Sequence, residues 1–425
     1  MPDNASKKKL ALVLSGGGAR GAFEAGIIHY IRTKLPPQIA HKRPFDIYCG
    51  SSVGAINTCF MAASNHNLEY QGRRIFAIWN ELEQAKIYRR GVGMLTRFVS
   101  RTIAGTMRHF FGLQPKAETI QKFKQYHFVG LLDTSPLPFF LKEIIAWKQI
   151  SLNVQRGSPL AVSVTATNVH SGKMELFVEK HPSVNYTGRH RAHFVTVEAR
   201  HAMASAALPL LFPTVRVGSN FYCDGGLRLN TPLSPAVQLG ADKILVVGLH
   251  HKTERAEQAV DEPFLEHPLP PTMGEILGKV LNSIFLDKLD YDIEQMDRIN
   301  RVIQWGSEVY GADFLERVNG YLKEKGLKGD IAARGLKRLQ VMTIFPSSDI
   351  RTIFRECVDD PKFLKKNLTT FERTLMKVLD VDIRHGEDFL SFILFIPFYM
   401  KRLLELGFED ARKNHDRLVE FFESN

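Results

Sequence analysis

The sequence lacks any long apolar run. No stretch of its 425 residues approaches the roughly 18 consecutive apolar residues of a membrane-spanning helix. The apolar segment Leu10–Leu14 is too short for the hydrophobic region of a secretory signal peptide, because glycines follow almost directly. We therefore expect a cytoplasmic protein without a signal peptide or a transmembrane segment.

Cysteine is scarce, and no pattern typical of metal ligands is present. The chain has four cysteines, at positions 49, 59, 223 and 357, and their spacing matches no metal-binding motif. Cys49 and Cys223 lie in apolar segments, so we expect reduced, buried thiols. The aspartates that begin at Asp287 lack the glycine of a calcium-binding loop and fit a solvated helix face. The sequence therefore predicts no metal site.

The composition is that of a folded protein with a large core. Hydrophobic residues make up 44% of the chain and charged residues 24%, with a net charge of +11. Residues 9–84 alternate between patterns typical of strands and helices, which predicts an α/β fold with a mostly parallel sheet. Further strands are predicted at 160–166, 221–223, 243–248 and 339–344, helical spacing at 273–305, and helices after Pro346.

Ser52 is a candidate nucleophile because it lies at the centre of a G-x-S-x-G pentapeptide between Gly50 and Gly54. The apolar residues 45–49 before it resemble a buried strand, and residues 55–62 after it can form a helix. A strand, tight turn and helix in this order expose the serine hydroxyl and direct the helix N-terminus towards it. The pentapeptide alone is a weak signal, since it also occurs by chance.

The glycine loop at Gly16, Gly17 and Gly18 has two interpretations. With Gly21 it satisfies G-x-G-x-x-G, a dinucleotide-binding pattern, but the acidic residue expected at the end of the second strand is missing, because Asp46 lies at the start of that strand. Alternatively, the backbone N–H groups of the loop bind an oxyanion. A plain strand-to-helix turn explains one or two glycines but not three in a row, so we favour the oxyanion loop.

Asp224 is a candidate base that also has a structural interpretation. It follows a predicted strand end and precedes Gly225 and Gly226. Asp-Gly alone favours a hairpin turn. A Ser-His-acid relay would instead require a downstream histidine, and none has a local setting that marks it as catalytic: His250, His251, His267, His385 and His415.

Four segments in a fixed order resemble patatin-like phospholipases. They are S-G-G-G-A-R-G at 15–21, G-S-S-V-G at 50–54, A-S-A-A-L-P running into F-P at 204–213, and D-G-G followed by N-T-P at 224–232. The resemblance implies a three-layer patatin-like α/β fold with a mostly parallel central sheet and a helical C-terminal extension. It also implies a Ser52–Asp224 dyad without histidine, an oxyanion loop at Gly16, Gly17 and Gly18, and no cofactor.

The activity that this resemblance implies is hydrolysis of fatty-acyl esters of phospholipid or lysophospholipid through an acyl-Ser52 intermediate. A neutral-lipid or generic carboxylesterase remains open, as does a non-catalytic phosphate- or nucleotide-binding module. Arg20 either holds an anionic substrate or braces the loop. Desolvation would raise the pKa of Asp224 and make it a better base, and we expect the apolar lining to come from Ile47, Phe221 and Tyr222.

Positive charge is concentrated between positions 85 and 125, where nine Lys or Arg stand against one acidic residue. A helix would bring Arg97, Arg101 and Arg108 within about 40° of one another. Such a basic amphipathic helix suits peripheral contact with an anionic membrane surface, although a solvated face over a core-packing helix is an equal alternative. No nucleic-acid recognition motif accompanies the charge.

The chain is predicted to have three parts. A catalytic core at 9–250 carries the basic, helical insertion 85–125. Residues 251–345 form a loop, helices and a late strand packed on the core, and 346–425 form a helical C-terminal extension. The apolar run 389–400, interrupted by Pro397, fits a core helix better than an interfacial anchor, because of its length.

Overall fold

The computed structural model describes residues 8–89, 130–188, 190–251, 273–285, 289–325, 337–359, 373–374, 376–377 and 387–424. Most of the basic insertion, including Arg97, Arg101 and Arg108, therefore lies outside the described residues. The predicted surface loop at 252–272 lies outside them as well. The division of the chain into three parts stays a prediction.

One mixed sheet forms the centre of the described part of the chain. Its nine strands are β1 Leu10–Leu14, β2 Ile47–Ser51, β3 Ala161–Asn168, β4 Met174–Lys180, β5 Arg191–Phe194, β6 Val215–Val217, β7 Asn220–Asp224, β8 Lys243–Val247 and β9 Gln340–Ile344. The main order is β5-β4-β3-β2-β1-β8-β9. Neighbours from β3 to β9 in this order are all parallel, whereas β4 and β7 run antiparallel to β3. The predicted mostly parallel α/β sheet is confirmed.

Helices cover both faces of this sheet. The described helices are α1 Ala22–Lys34, α2 Pro37–Ala40, α3 Val53–Ala63, α4 Leu68–Asn80, α5 Leu137–Ile144, α6 Trp147–Gln155, α7 Ala199–Ser205, α8 Leu233–Gln238, α9 Met273–Phe285, α10 Leu289–Tyr310, α11 Phe314–Glu324, α12 Ile350–Val358, α13 Glu387–Ile393, α14 Pro397–Lys413 and α15 His415–Glu423. The helical spacing predicted at 273–305 corresponds to α9 and α10. None of these described helices is long and apolar enough to cross a membrane.

Strand β1 shows why the sheet has a layer on each side. All five of its residues are buried, and successive side chains of a strand point to opposite faces. Leu10, Leu12 and Leu14 join the larger apolar cluster, which includes residues of α1, α3 and α4. Ala11 and Val13 join a second cluster that includes residues of α8. A continuous apolar strand is expected where both faces are covered, and the three-layer arrangement follows.

The C-terminal helices pack directly on the first helix of the chain. A Cβ atom added at Gly26 of α1 would lie 2.2 Å from the carbonyl oxygen of Leu404 in α14. A Cβ atom at Gly407 of α14 would lie 2.1 Å from the carbonyl oxygen of Phe23 in α1. Glycine on both helices therefore permits backbone-to-backbone contact. This contact makes the C-terminal helical region part of the layer that covers the sheet.

Most of the apolar run 389–400 is buried, as the core interpretation predicted, but Pro397 and Phe398 are exposed and the run is not one helix. Helix α13 ends at Ile393, and Pro397 is the first residue of α14. Proline is accepted at the first position of a helix, where its missing N–H leaves no hydrogen bond unmade. Residues 389–396, which belong to α13 and to the segment directly after it, are all buried.

Candidate active site

Strand β3 brings the ends of two other strands together. On one side it pairs with β2 as far as Ser51, which lies opposite Thr165. On the same side of β3, pairing then passes to β7, and Ala166 lies opposite Asp224. The carboxyl ends of β2 and β7 therefore meet at neighbouring positions of β3. Ser52 directly follows one end, and Asp224 is the other.

Ser52 occupies the sharp turn between β2 and α3. Its backbone has φ 53° and ψ −127°. Residues other than glycine rarely adopt this conformation, which costs about 1–3 kcal/mol. Position 54, two residues after Ser52, requires glycine, since a Cβ atom there would lie 2.4 Å from the carbonyl oxygen of Leu14. The N–H of Ser52 donates to Ser205 Oγ over 2.9 Å. The strained turn is thus held by packing and by a buried hydrogen bond.

Asp224 accepts hydrogen bonds on both carboxylate oxygens. Ser52 Oγ donates to Asp224 Oδ2 over 2.6 Å, and the N–H of Gly226 donates to Oδ1 over 2.7 Å. The hairpin interpretation of Asp-Gly is wrong, because a 3-10 turn, Gly225–Leu227, follows Asp224. Gly225 is needed for close approach, since a Cβ atom there would lie 2.4 Å from the carbonyl oxygen of Thr165.

Burial determines the acidity of Asp224. Its side chain is fully buried, and desolvation raises its pKa to about 7, against the lowering effect of the hydrogen bonds from Ser52 and Gly226. A carboxylate takes up a proton more readily as its pKa rises. At neutral pH this carboxyl group is therefore close to the midpoint of its titration.

The apolar residues predicted to desolvate Asp224 are distinct from the lining of the cavity that reaches Ser52, which includes none of Ile47, Phe221 and Tyr222. Ile47 belongs to the apolar cluster on the opposite face of the sheet. The hydroxyl of Tyr222 donates to Glu175 Oε2 over 2.7 Å. Strand alternation explains the Ile47 error, because a one-residue difference in register reverses the face to which a side chain points.

An apolar cavity reaches Ser52. Its lining includes Trp79 of α4, Leu208 and Phe212 from the segment after α7, and Phe395 from the segment between α13 and α14. The cavity volume is about 60 Å³, counted as the space that the centre of a water molecule can occupy. Because the lining is mostly aliphatic and aromatic, this cavity suits an extended hydrocarbon group.

The three loop glycines are each held by a close neighbour. The N–H of Gly16 donates to the carbonyl oxygen of Asn230 over 3.2 Å. A Cβ atom at Gly17 would lie 2.6 Å from Leu249 Cδ1. Gly18 has φ +56°, and its Cβ atom would lie 2.1 Å from the carbonyl oxygen of Phe392. Gly18 also lines the cavity beside Ser52, whereas the Gly16 N–H is already engaged.

Arg20 is buried against the C-terminal helix α13. Its Nε and Nη2 atoms donate to Ser391 Oγ over 3.2 and 2.7 Å. The guanidinium carbon lies 3.8 Å from the centroid of the Phe392 ring, a cation–π contact. Burial lowers the pKa of Arg20. These contacts connect the glycine loop to a segment 371 residues further along the chain.

The downstream histidines that the structure describes have other partners. His250 packs against Phe345 with the two rings tilted by 56°, His251 Nδ1 lies 2.9 Å from the carbonyl oxygen of Pro346, and His415 Nδ1 lies 3.0 Å from Tyr30 Oη. His267 and His385 lie outside the described residues.

All four cysteines are free and buried, as predicted. Burial raises the pKa of each thiol. Among the described residues, no three or more His, Cys, Asp or Glu side chains are arranged to hold a metal ion.

Two features of the site had not been predicted from the sequence. Ser205 lies in the A-S-A-A-L-P segment, so that segment could have indicated it, but nothing local reveals that its hydroxyl reaches Ser52. Asn57 lines the cavity, donates from Nδ2 to Glu24 Oε2 over 2.7 Å and accepts from Trp79 Nε1 over 3.0 Å. This buried chain of polar groups orients Trp79 in the cavity wall.

Comparison with known proteins gives three findings. The family model for patatin-like phospholipase matches residues 12–237, more than half of the 425 residues. The cGAMP-activated phospholipase of Pseudomonas aeruginosa (strain BWHPSA011 / Pa011) is 29% identical over 228 residues, which are 52% of this chain and 53% of that protein. The chain thus spans about half the length of this curated relative. The crystal structure of VipD from Legionella pneumophila matches 98% of this chain and 75% of its own, with 12% identity and a TM-score of 0.30, too low to establish a shared fold.

Proposed function

Since the chain belongs to the patatin-like phospholipase family, we propose that it is a serine acyl hydrolase that cleaves fatty-acyl esters of phospholipids or lysophospholipids through a Ser52–Asp224 dyad. The observation that carries this proposal is the 2.6 Å hydrogen bond from Ser52 Oγ to Asp224 Oδ2. It lies at the end of an apolar cavity, where an acyl chain would place its ester carbonyl.

Acylation begins with the bond from Ser52 Oγ to the ester carbonyl carbon. As this bond forms, the hydroxyl proton passes to Asp224 Oδ2, and the carbonyl π electrons move onto the oxygen. An ordinary aspartate, with a pKa near 3.9, is a poor match for this proton. The burial that raises the pKa of Asp224 to about 7 makes the transfer easier, because a general base works best near the operating pH.

The glycine loop supplies the oxyanion site in this proposal. Gly17 and Gly18 are the donors that we assign, because the N–H of Gly16 is already bonded to Asn230. Gly16 then contributes by holding the loop, and Arg20 braces it from α13 rather than binding substrate. Backbone donors fixed by surrounding packing stabilise a developing oxyanion without reorganisation, and one such donor is typically worth about 100- to 1000-fold in kcat.

Deacylation reverses the proton transfers. The first tetrahedral intermediate expels the alcohol, which takes its proton from Asp224, and leaves an ester between Ser52 and the fatty acid. Water then attacks the acyl carbon and gives a proton to Asp224. Collapse of the second intermediate breaks the bond to Ser52 Oγ, which recovers this proton, and the fatty acid leaves. No metal ion or cofactor takes part in these steps.

The apolar cavity and the family support a phospholipid or lysophospholipid as the substrate. Contact with a membrane is a separate part of the proposal. Peripheral binding to an anionic membrane surface rests on the charge of segment 85–125, with Arg97, Arg101 and Arg108 as candidate contacts. A neutral-lipid or generic carboxylesterase would use the same dyad and cavity. Only the substrates distinguish it from the phospholipase.

A fluorophosphonate probe followed by peptide mass spectrometry tests the nucleophile. We expect the wild type to be modified at Ser52 and Ser52→Ala to remain unlabelled, with Ser307→Ala as a matched control on α10. Absence of label at Ser52 in a folded protein would favour a phosphate- or nucleotide-binding module. Lipid profiling after incubation with a mixed lipid extract then identifies the substrate. Release of fatty acid from neutral lipids alone would favour the carboxylesterase.

A further inference from the structure

The cavity at Ser52 follows one face of helix α3. Val53, Ile56, Asn57 and Phe60 of this helix all line it. Their spacing of three, four and seven residues is that of neighbours on a single helix face. The cavity therefore extends along the helix axis, away from Ser52. At 1.5 Å per residue, Phe60 lies roughly 12 Å along the axis from Ser52.

A second cavity shares part of its lining with the first one. Phe60 and Ile144 line both cavities. The lining of the second cavity also includes Ala63, the last residue of α3, Ser64 directly after it, and Tyr70. The Tyr70 side chain is 49% exposed, so this second cavity opens to solvent.

The two cavities differ in chemistry. The first is almost entirely apolar, whereas the second also has polar side chains from Ser64, His66, Asn67 and Gln149. The side chains of Phe60 and Ile144 therefore form the wall between an apolar pocket and a partly polar, solvent-open groove. Phe60 itself is 4% exposed.

We propose that Phe60, together with Ile144, closes the acyl pocket and sets the longest acyl chain that the enzyme accepts. This inference rests on the proposed function. An acyl chain bound to Ser52 lies along α3 with its methyl end towards the Phe60 ring. A longer chain must either displace the ring or bend out of the pocket. Each methylene that then stays in water lowers the relative kcat/KM about fourfold.

A chain-length series tests the wall. We would measure kcat/KM for the p-nitrophenyl esters of butyrate, octanoate, laurate, palmitate and stearate. Phe60→Ala and Ile144→Ala each shorten one of the two side chains that line both cavities, and each should join the pocket to the groove. Both should move the optimum to longer chains and raise the long-to-short ratio of kcat/KM by about 15-fold, the effect of two methylenes. Phe60→Trp should move the optimum to shorter chains.

Controls separate this effect from general loosening of the fold. Phe76→Ala removes a partly buried ring of α4 that lines neither cavity, and it should keep the wild-type ratio. If Phe60→Ala does not fold, Phe60→Leu and Ile144→Ala provide the test. Melting temperatures identify the folded variants.

The possible failures are distinguishable. If the wild type is active but folded Phe60→Leu and Ile144→Ala keep its chain-length profile, Phe60 and Ile144 do not limit the acyl chain. The proposed function is then unaffected. An equal shift in Phe76→Ala also overturns the proposed role of Phe60 and Ile144. Absence of any Ser52-dependent ester hydrolysis in the wild type overturns the proposed function, and with it the proposed role of Phe60 and Ile144.

Discussion

Ser205 Oγ accepts a hydrogen bond from the backbone N–H of Ser52 over 2.9 Å, and both residues are buried. The bond joins the last residue of α7 to the strained turn that carries the candidate nucleophile. The Ser205 side chain has no chemical role in the proposed reaction, but its hydrogen bond fixes the direction in which Ser52 Oγ points. The relation between these two residues leads to the first prediction.

Ser205→Ala should lower kcat about tenfold with little change in KM. A net hydrogen bond contributes about 0.5–1.5 kcal/mol, and its loss allows the strained backbone of Ser52 to relax. Steady-state kinetics on a soluble ester would measure this. Ser307→Ala, which removes a hydroxyl bonded to the carbonyl of Ile303 in α10, is the control. Equal losses in kcat and in melting temperature for both variants would assign Ser205 a structural role only.

Ser52→Ala and Asp224→Asn should each remove nearly all esterase activity while the protein stays folded. The double variant should be little worse than the worse single variant, because the two groups act as a unit. Circular dichroism and ester hydrolysis measure folding and activity. Near-full activity in Asp224→Asn would contradict the dyad and indicate a histidine as the base.

Activity should rise with pH through about 7, because Asp224 must lose its proton to act as a base and its pKa is raised to about 7. Stability should change in the opposite direction. Between about pH 4 and 7 the folded carboxyl keeps a proton that the unfolded one has lost, so the free energy of unfolding falls as pH rises. The fall is at most about 4 kcal/mol over this window and ends above about pH 7.

Urea unfolding of the wild type and of Asp224→Asn at several pH values measures this effect. The asparagine variant cannot titrate at this position, so its free energy of unfolding should fall less between pH 4 and 7. Identical pH dependence in the two proteins would show that Asp224 has an ordinary pKa in the folded state.

Chelator should leave the hydrolysis of a soluble short-chain ester unchanged. In the proposed mechanism, backbone N–H groups stabilise the oxyanion and a carboxylate activates the nucleophile, so no step uses a metal ion. Rates with and without chelator would be compared. Activity lost in chelator and restored by calcium would mean that the acidic run from Asp287 binds calcium.

Replacement of Arg97, Arg101 and Arg108 by glutamine should weaken binding to anionic vesicles. Each arginine that meets anionic headgroups contributes up to about 1 kcal/mol, and salt weakens this attraction. Vesicle co-sedimentation at low and high salt measures binding, and a soluble ester provides the reference activity. Equal losses on vesicle and soluble substrates would mean that the segment is structural, and unchanged vesicle binding would locate the contact elsewhere.

The sequence predicted the parts of the fold that local patterns determine. The alternation of strands and helices in the first 84 residues indicated an α/β fold with a mostly parallel sheet, and the family resemblance implied the three-layer arrangement. Strand β4 gives a weaker signal, because Glu175 and Glu179 interrupt its apolar pattern. The burial of Glu175 depends on Tyr222 and His193, which are distant in sequence and donate to it.

The site was predictable only in part for the same reason. The glycines and Ser52 lie in short motifs, but the contacts of Phe392 and Phe395 with the loop and the cavity join positions more than 300 residues apart. The apolar face of α3 has ordinary helical spacing. Periodicity shows that such a face is apolar, but it does not distinguish a face packed in the core from one that lines a cavity.

Pairing of both β2 and β7 with β3 has a consequence for how the chain tolerates insertions and deletions. The spacing between Ser52 and Asp224 depends on the hydrogen-bonded register with Thr165 and Ala166, and not on the length of the intervening chain. Loops between β3 and β7 can therefore gain or lose residues while the two side chains stay in place. A single residue added within β3 would shift that register and move the aspartate out of reach of the serine.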